Sequence, residues 1–134
     1  MKYKEINQEN FLTEIKKLNT DIDYILLQDV LHFAANAHKE QKRKSGEDYI
    51  THPVNVAYIL AEMKLDSACI ASALLHDVLE DTDFTSADIQ NKYGSKITEL
   101  VQGVTKIESF EYRAKETDKQ ADNFRKLLIS VTKD

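Results

Sequence analysis

The residues best able to do chemistry stand together as His76-Asp77 and Glu80-Asp81, inside the most apolar stretch of the chain. Ala68 to Leu79 carries Ile70, Ala71, Ala73, Leu74, Leu75, Val78 and Leu79, a pattern that is apolar nearly all round and suits the central helix of a bundle. At 3.6 residues per turn, His76 and Glu80 share one edge of that helix, and Asp77 and Asp81 share the adjacent one. Ionisable groups in a core helix are costly unless something pairs with them. A divalent cation would meet that cost, because neutral imidazole and carboxylate are its ligands and its charge keeps the carboxylates ionised. The competing reading is an acidic helix end, from Leu79 to Asp83, that runs out into solvent while His76 is a satisfied core histidine. The adjacency of His to Asp, and a second histidine beside a helix start at His52, weigh toward the metal.

A second constellation, Lys42-Arg43-Lys44-Ser45-Gly46, comes shortly before His52. Basic side chains on a Gly-containing turn can hold phosphate or stack on a base, and Arg offers a planar fork for either. Read alone, a basic run is a solvated surface; its nearness to a candidate ligand is what gives it weight.

The elements that must position these groups read as helices almost throughout, with apolar residues at helical spacing. Phe11, Leu12, Ile15 and Leu18 form a first stripe; Ile25, Leu26, Val30, Phe33, Ala34 and Ala37 form a second. Ser45-Gly46-Glu47-Asp48 is a turn signature. Pro53 suits the first position of a new helix, where its missing N–H costs nothing, which puts His52 at or beside the N-cap. Val56, Leu60 and Met63 supply that helix's apolar face, and Lys64-Leu65-Asp66-Ser67 closes it. Thr85 with Asp88 resembles a capping box for a helix that Gly94 ends. Ile97, Leu100, Val101 and Val104 follow as another stripe. A charged surface loop is expected from Glu108 to Asp118, then a last helix through Ala121, Phe124, Leu127, Leu128 and Val131.

Composition agrees with one all-α domain. Only three Gly and one Pro occur in 134 residues, and scarcity of the two strongest helix breakers favours long helices over a turn-rich β architecture. A net charge of −5 argues against a domain that coats DNA or anionic membrane, although a small phosphorylated ligand needs only a local basic cluster or a metal. Cys69 is the one cysteine, so no internal disulfide can form, and its neighbours mark it as a small buried hydrophobe. No apolar run approaches the roughly 18 residues of a membrane span, and Met1 to Glu5 leads into polar residues and not a signal-peptide core. A cytoplasmic location is the default expectation.

Four segments together resemble a known family. Arg43-Lys44-Ser45-Gly46-Glu47-Asp48-Tyr49-Ile50-Thr51-His52-Pro53 looks like the R-x-S-G-E-x-Y-I-x-H-P segment of RelA/SpoT homologues, and Ala73 to Thr82 is similar to their A-L-L-H-D-V-x-E-D-T. Gly103-Val104-Thr105-Lys106 matches their G-V-T-K, and Gln120-Ala121-Asp122-Asn123-Phe124-Arg125-Lys126 looks like their Q-A-E-N-x-R-K. The matches run in the family's order from about His32 to the end of the sequence. The resemblance implies a helical HD-domain bundle that binds Mn²⁺ and removes the 3′-pyrophosphate of guanosine tetra- and pentaphosphate, giving GDP or GTP. It further implies that His52, His76 and Asp77 are metal ligands, and that Glu80 and Asp81 position and activate the attacking water. Arg43, Lys44 and Ser45 would contact the guanine nucleotide. His38, also at a family-like position, is given a structural role, and His32 none. An HD-class nucleotidase of other specificity and a non-catalytic structural or regulatory module are the alternatives.

One departure stands out: the family's fourth metal ligand is an Asp in a K-L-A-D-R-x-H-N stretch that would fall beyond Asp134. The expected unit is therefore an HD hydrolase domain over residues 1–134, truncated at its C-terminus and N-terminal in a longer bifunctional enzyme, and weak or inactive by itself. A version extended past that stretch is expected to bind Mn²⁺ about 10–100-fold more tightly, the scale on which even outer partners of a metal site count. Mn²⁺ titration and pyrophosphate release, run on both lengths, check this; equal affinity and turnover would show that the ligand set is complete without it.

Overall fold

Short polar caps cut the chain into helices, and the computed structural model describes them over residues 6–39 and 49–111, with backbone alone from 104 onward. Among the described residues there are six helices and no strand: α1 Phe11–Leu18, α2 Tyr24–Ala37, α3 Thr51–Glu62, α4 Ser67–Asp81, α5 Ser86–Tyr93 and α6 Ser95–Glu111. None is long and apolar enough to cross a membrane.

The caps are local and specific. Asp23 accepts from the Leu26 N–H at the start of α2, and Asp66 accepts from the Cys69 N–H at the start of α4, each satisfying a donor the helix cannot. Ser67 Oγ accepts the Asp23 N–H at 2.8 Å, tying the two helix starts together. Thr85 and Asp88 form a reciprocal capping box for α5, and Gly94, at φ +92°, ends it as its sequence suggests. Lys64 sits in the left-handed region at φ +65° and donates from its ammonium to the Leu18 carbonyl at 2.7 Å, so the α3–α4 turn also covers the end of α1.

Helix α4 is the axis of the bundle, packed against α2, α3 and α6, while α5 lies on α6 and α1 on α2 and α3. Every residue from Cys69 to Val78 is buried, as expected for a helix apolar on all sides. Cys69 is part of this core, and burial, with the Asp66 carboxyl beside it, pushes its thiol up to about 12. On the far side, the Tyr93 hydroxyl donates to Asp29 Oδ2 at 2.6 Å and fastens α5 to α2; burial and that carboxylate raise the phenol's pKa.

Several boundaries differ from the sequence reading. Helix α3 starts at Thr51, so His52 lies within the first turn and Pro53 is its third residue; that turn has no i−4 partner for its N–H groups, which is why proline is still accepted there. Ile25 is 76% and Met63 39% exposed, because helical spacing cannot tell which edge of a stripe the neighbours reach. Helix α6 continues through Glu111, into the segment expected to be loop from Glu108, since charged residues without Gly or Pro do not stop a helix. The last expected helix, Ala121 to Val131, lies outside the described residues.

Leu74 is fully buried on the axis helix. Its replacement, Leu74→Ala, is expected to lower the unfolding free energy by about 2–5 kcal/mol, the usual cost of a core leucine plus its cavity. Urea denaturation would measure it; a loss below about 1 kcal/mol would contradict the central placement of α4.

Candidate metal centre

Helix α4 brings a buried pair and an exposed pair of ionisable groups to one end. His76 is 1% and Asp77 6% exposed, whereas Glu80 and Asp81 stand in the last turn open to solvent. All four lie within α4, as the sequence implies, but only the first two are in the core, and the last turn carries the other two into solvent. The Thr82 backbone N–H and its hydroxyl both donate to the Val78 carbonyl, at 3.2 and 2.7 Å, and extended backbone at Thr82 stops the helix directly after Asp81. The acidic end expected from the competing reading and the buried His-Asp pair are thus both present, one turn apart.

The protonation geometry of the buried pair is informative. His76 Nδ1 lies 2.8 Å from the Ala73 carbonyl, which can only accept, so Nδ1 carries the proton. The other nitrogen, Nε2, faces Asp77 Oδ1 at 3.3 Å. In a neutral ring that sets a lone pair beside a carboxylate oxygen, two acceptors facing one another. A second ring proton or a cation resolves the contact. A backbone carbonyl on the far nitrogen is also the usual way in which a ligating histidine is oriented.

His52 completes the cluster from α3, half-buried, its ring 6.3 Å from that of His76 and inclined by 60°. One ligand atom from each of His52, His76 and Asp77 lies within 4.8 Å of the others. Ligands sharing one metal at bonds of about 2.0–2.3 Å sit roughly 3–4 Å apart, so the three residues fit a divalent ion with small side-chain adjustments. Asp77, Glu80 and Asp81 make a second such group, again within 4.8 Å. Asp77 belongs to both, which makes the carboxylate edge continuous with the histidine site. The location adds to this: α4 has no basic residue in its last turn, and a helix C-terminus bearing carboxylates and partial negative charge favours a cation.

The surroundings hold the first turn of α3 in place. Asn55 Nδ2 donates to the Thr51 carbonyl at 2.8 Å and to the Ile6 carbonyl at 3.0 Å. Tyr49, just before α3, donates its hydroxyl to Asp81 Oδ2, and its ring stacks on buried His38 at 4.6 Å between centroids. Sequence reasoning gave Tyr49 no part in the site, because no spacing rule links residues so far apart in the chain. Its place directly before the His52 helix, and the fixed Tyr of the R-x-S-G-E-x-Y-I-x-H-P segment it matches, are the signals that could have raised it. His32 is exposed on α2. Arg43, Lys44 and Ser45, expected at the nucleotide, lie outside the described residues.

This is the arrangement after which one helical class is known. Residues 30–134 match the family model described as an HD domain, and the chain belongs to that family. Its relatives are RelA/SpoT-type proteins, as the sequence motifs implied. It is 50% identical over 101 residues, 75% of its length, to the bifunctional (p)ppGpp synthase/hydrolase SpoT of Escherichia coli K12, of which the match covers 14%. Over 108 residues, 81% of the chain, it is 47% identical to a guanosine-3′,5′-bis(diphosphate) 3′-pyrophosphohydrolase of Aquifex aeolicus, covering 15% of that protein. A Vibrio cholerae protein of the same name is 43% identical over 131 residues, 98% of the chain and 17% of the relative. The chain thus spans between 14% and 17% of the length of these curated relatives.

Proposed function

We propose that this chain is the hydrolase domain, residues 1–134, of a longer RelA/SpoT-type enzyme that removes the 3′-pyrophosphate of guanosine tetra- and pentaphosphate, and that the chain is weak or inactive without the stretch expected to carry the fourth ligand. The observation that carries this is the convergence of His52, His76 and Asp77 on one buried point beside the Glu80 and Asp81 carboxylates. The printed activities of the relatives supply the substrate, and their greater length supports a multidomain parent; a cytoplasmic location is part of the same proposal.

In this reading Mn²⁺ is the resident ion, with His52, His76 and Asp77 as ligands. A bound divalent ion would polarise a phosphoryl oxygen and lower the pKa of a water beside it. The chain's own residues do the rest. Ala73 holds the His76 ring so that Nε2 presents its lone pair inward. Glu80 and Asp81, open to solvent, orient a water and accept its proton as its oxygen bonds to the phosphorus attached to the ribose 3′ oxygen. That phosphorus–oxygen bond breaks, the 3′ oxygen takes up a proton, and GDP or GTP leaves with pyrophosphate. Arg43, Lys44 and Ser45 contact the guanine nucleotide, using a planar fork and a local basic cluster on a chain of net charge −5.

From the chain extended past the fourth-ligand stretch, pyrophosphate release from ppGpp is expected with Mn²⁺, to cease with a chelator and to return when Mn²⁺ is restored. His76→Ala and Asp77→Ala are each expected to lower it by at least about 100-fold, since loss of an outer partner alone costs 10–100-fold. Release of inorganic phosphate from ordinary nucleoside monophosphates, with ppGpp untouched, would favour the nucleotidase reading instead. Indifference to metal would overturn both.

A further inference from the structure

Tyr49 touches both halves of the candidate site. Its carbonyl accepts the His52 N–H at 3.3 Å, and its hydroxyl donates to Asp81 Oδ2. It therefore joins the start of α3, which carries one histidine, to the end of α4, which carries the exposed carboxylates. The ring itself is held. It stacks on His38 within 16° of parallel, His38 is buried, and the adjoining Ile50 is buried as the residue that precedes α3.

An aspartate in the last turn of a helix, open to solvent, has several rotamers available and no packing to choose among them. A donor fixed on a stacked ring selects one. The hydroxyl bonds to Oδ2 of a carboxylate that lies beside those of Asp77 and Glu80. Outer partners that lock the groups around a metal are often as consequential as the ligands.

We propose that Tyr49 is a positioning residue, whose hydroxyl holds the Asp81 carboxylate in register with the metal centre and acts through Asp81, not on the substrate. This rests on the hydrolase reading above. His38 is the platform that keeps the Tyr49 ring in place.

The test is a double-mutant cycle on Mn²⁺-supported pyrophosphate release from ppGpp, using Tyr49→Phe, Asp81→Ala and both together. Tyr49→Phe keeps the ring and its stacking, and an unchanged melting temperature checks that the fold is intact. Its expected effect is a fall in kcat of about 10–100-fold, with KM and Mn²⁺ affinity unchanged. In the Asp81→Ala background the same change should cost no more than about twofold, because the hydroxyl then has nothing to position. Equal losses in the two backgrounds, or a loss confined to KM, would overturn the role of Tyr49 and leave the hydrolase reading intact. The cycle is run on the chain extended past the fourth-ligand stretch, and no turnover by that otherwise unaltered protein would overturn the hydrolase reading, and this role with it.

Discussion

The constraint on which the site depends is the burial of His76 and Asp77 side by side in an apolar helix. The Ala73 carbonyl takes the only proton of a neutral His76 ring, so Nε2 and Asp77 Oδ1 meet at 3.3 Å as two acceptors. Inside a core such a contact is unfavourable until positive charge enters it, and water cannot supply that charge. A second ring proton would make an ordinary buried ion pair. The nearby His52 nitrogen favours the cation, because a third ligand atom within 4.8 Å of the other two is of no use to an ion pair and suits a metal.

The architecture follows from the need to hold that contact. Helix α4 is enclosed by α2, α3 and α6, which excludes solvent from its middle and fixes its register. The first turn of α3 is pinned by Asn55 and delivers His52. Thr82 ends α4 one residue after the acidic pair, so the carboxylates emerge into solvent where a phosphorylated ligand could reach them. The buried His-Asp pair and the exposed carboxylates thus lie one turn apart on a single helix, a more exact placement than loops would give.

Much of this was legible in the sequence. The all-α class followed from scarce Gly and Pro, and the central position of α4 from an apolar pattern without a polar face. The Thr85–Asp88 cap and the Gly94 stop were readable because their causes are local. Exposure of Glu80, Asp81, Ile25 and Met63 was not, because it depends on where neighbouring helices end. The start of α3 was misplaced by two residues because proline is tolerated throughout the first turn, not only at its first position. Tyr49 was invisible for a different reason. Its bond to Asp81 crosses from one helix start to another helix end, and only packing creates that neighbourhood.

The most direct measurement is anomalous X-ray diffraction from crystals of the protein grown with Mn²⁺, recorded at the manganese edge. The account predicts one dominant peak, about 2.0–2.3 Å from a nitrogen of His52, from His76 Nε2 and from an Asp77 carboxylate oxygen. A peak held only by Glu80 and Asp81 at the surface, or no peak between the two histidines at saturating Mn²⁺, would contradict it.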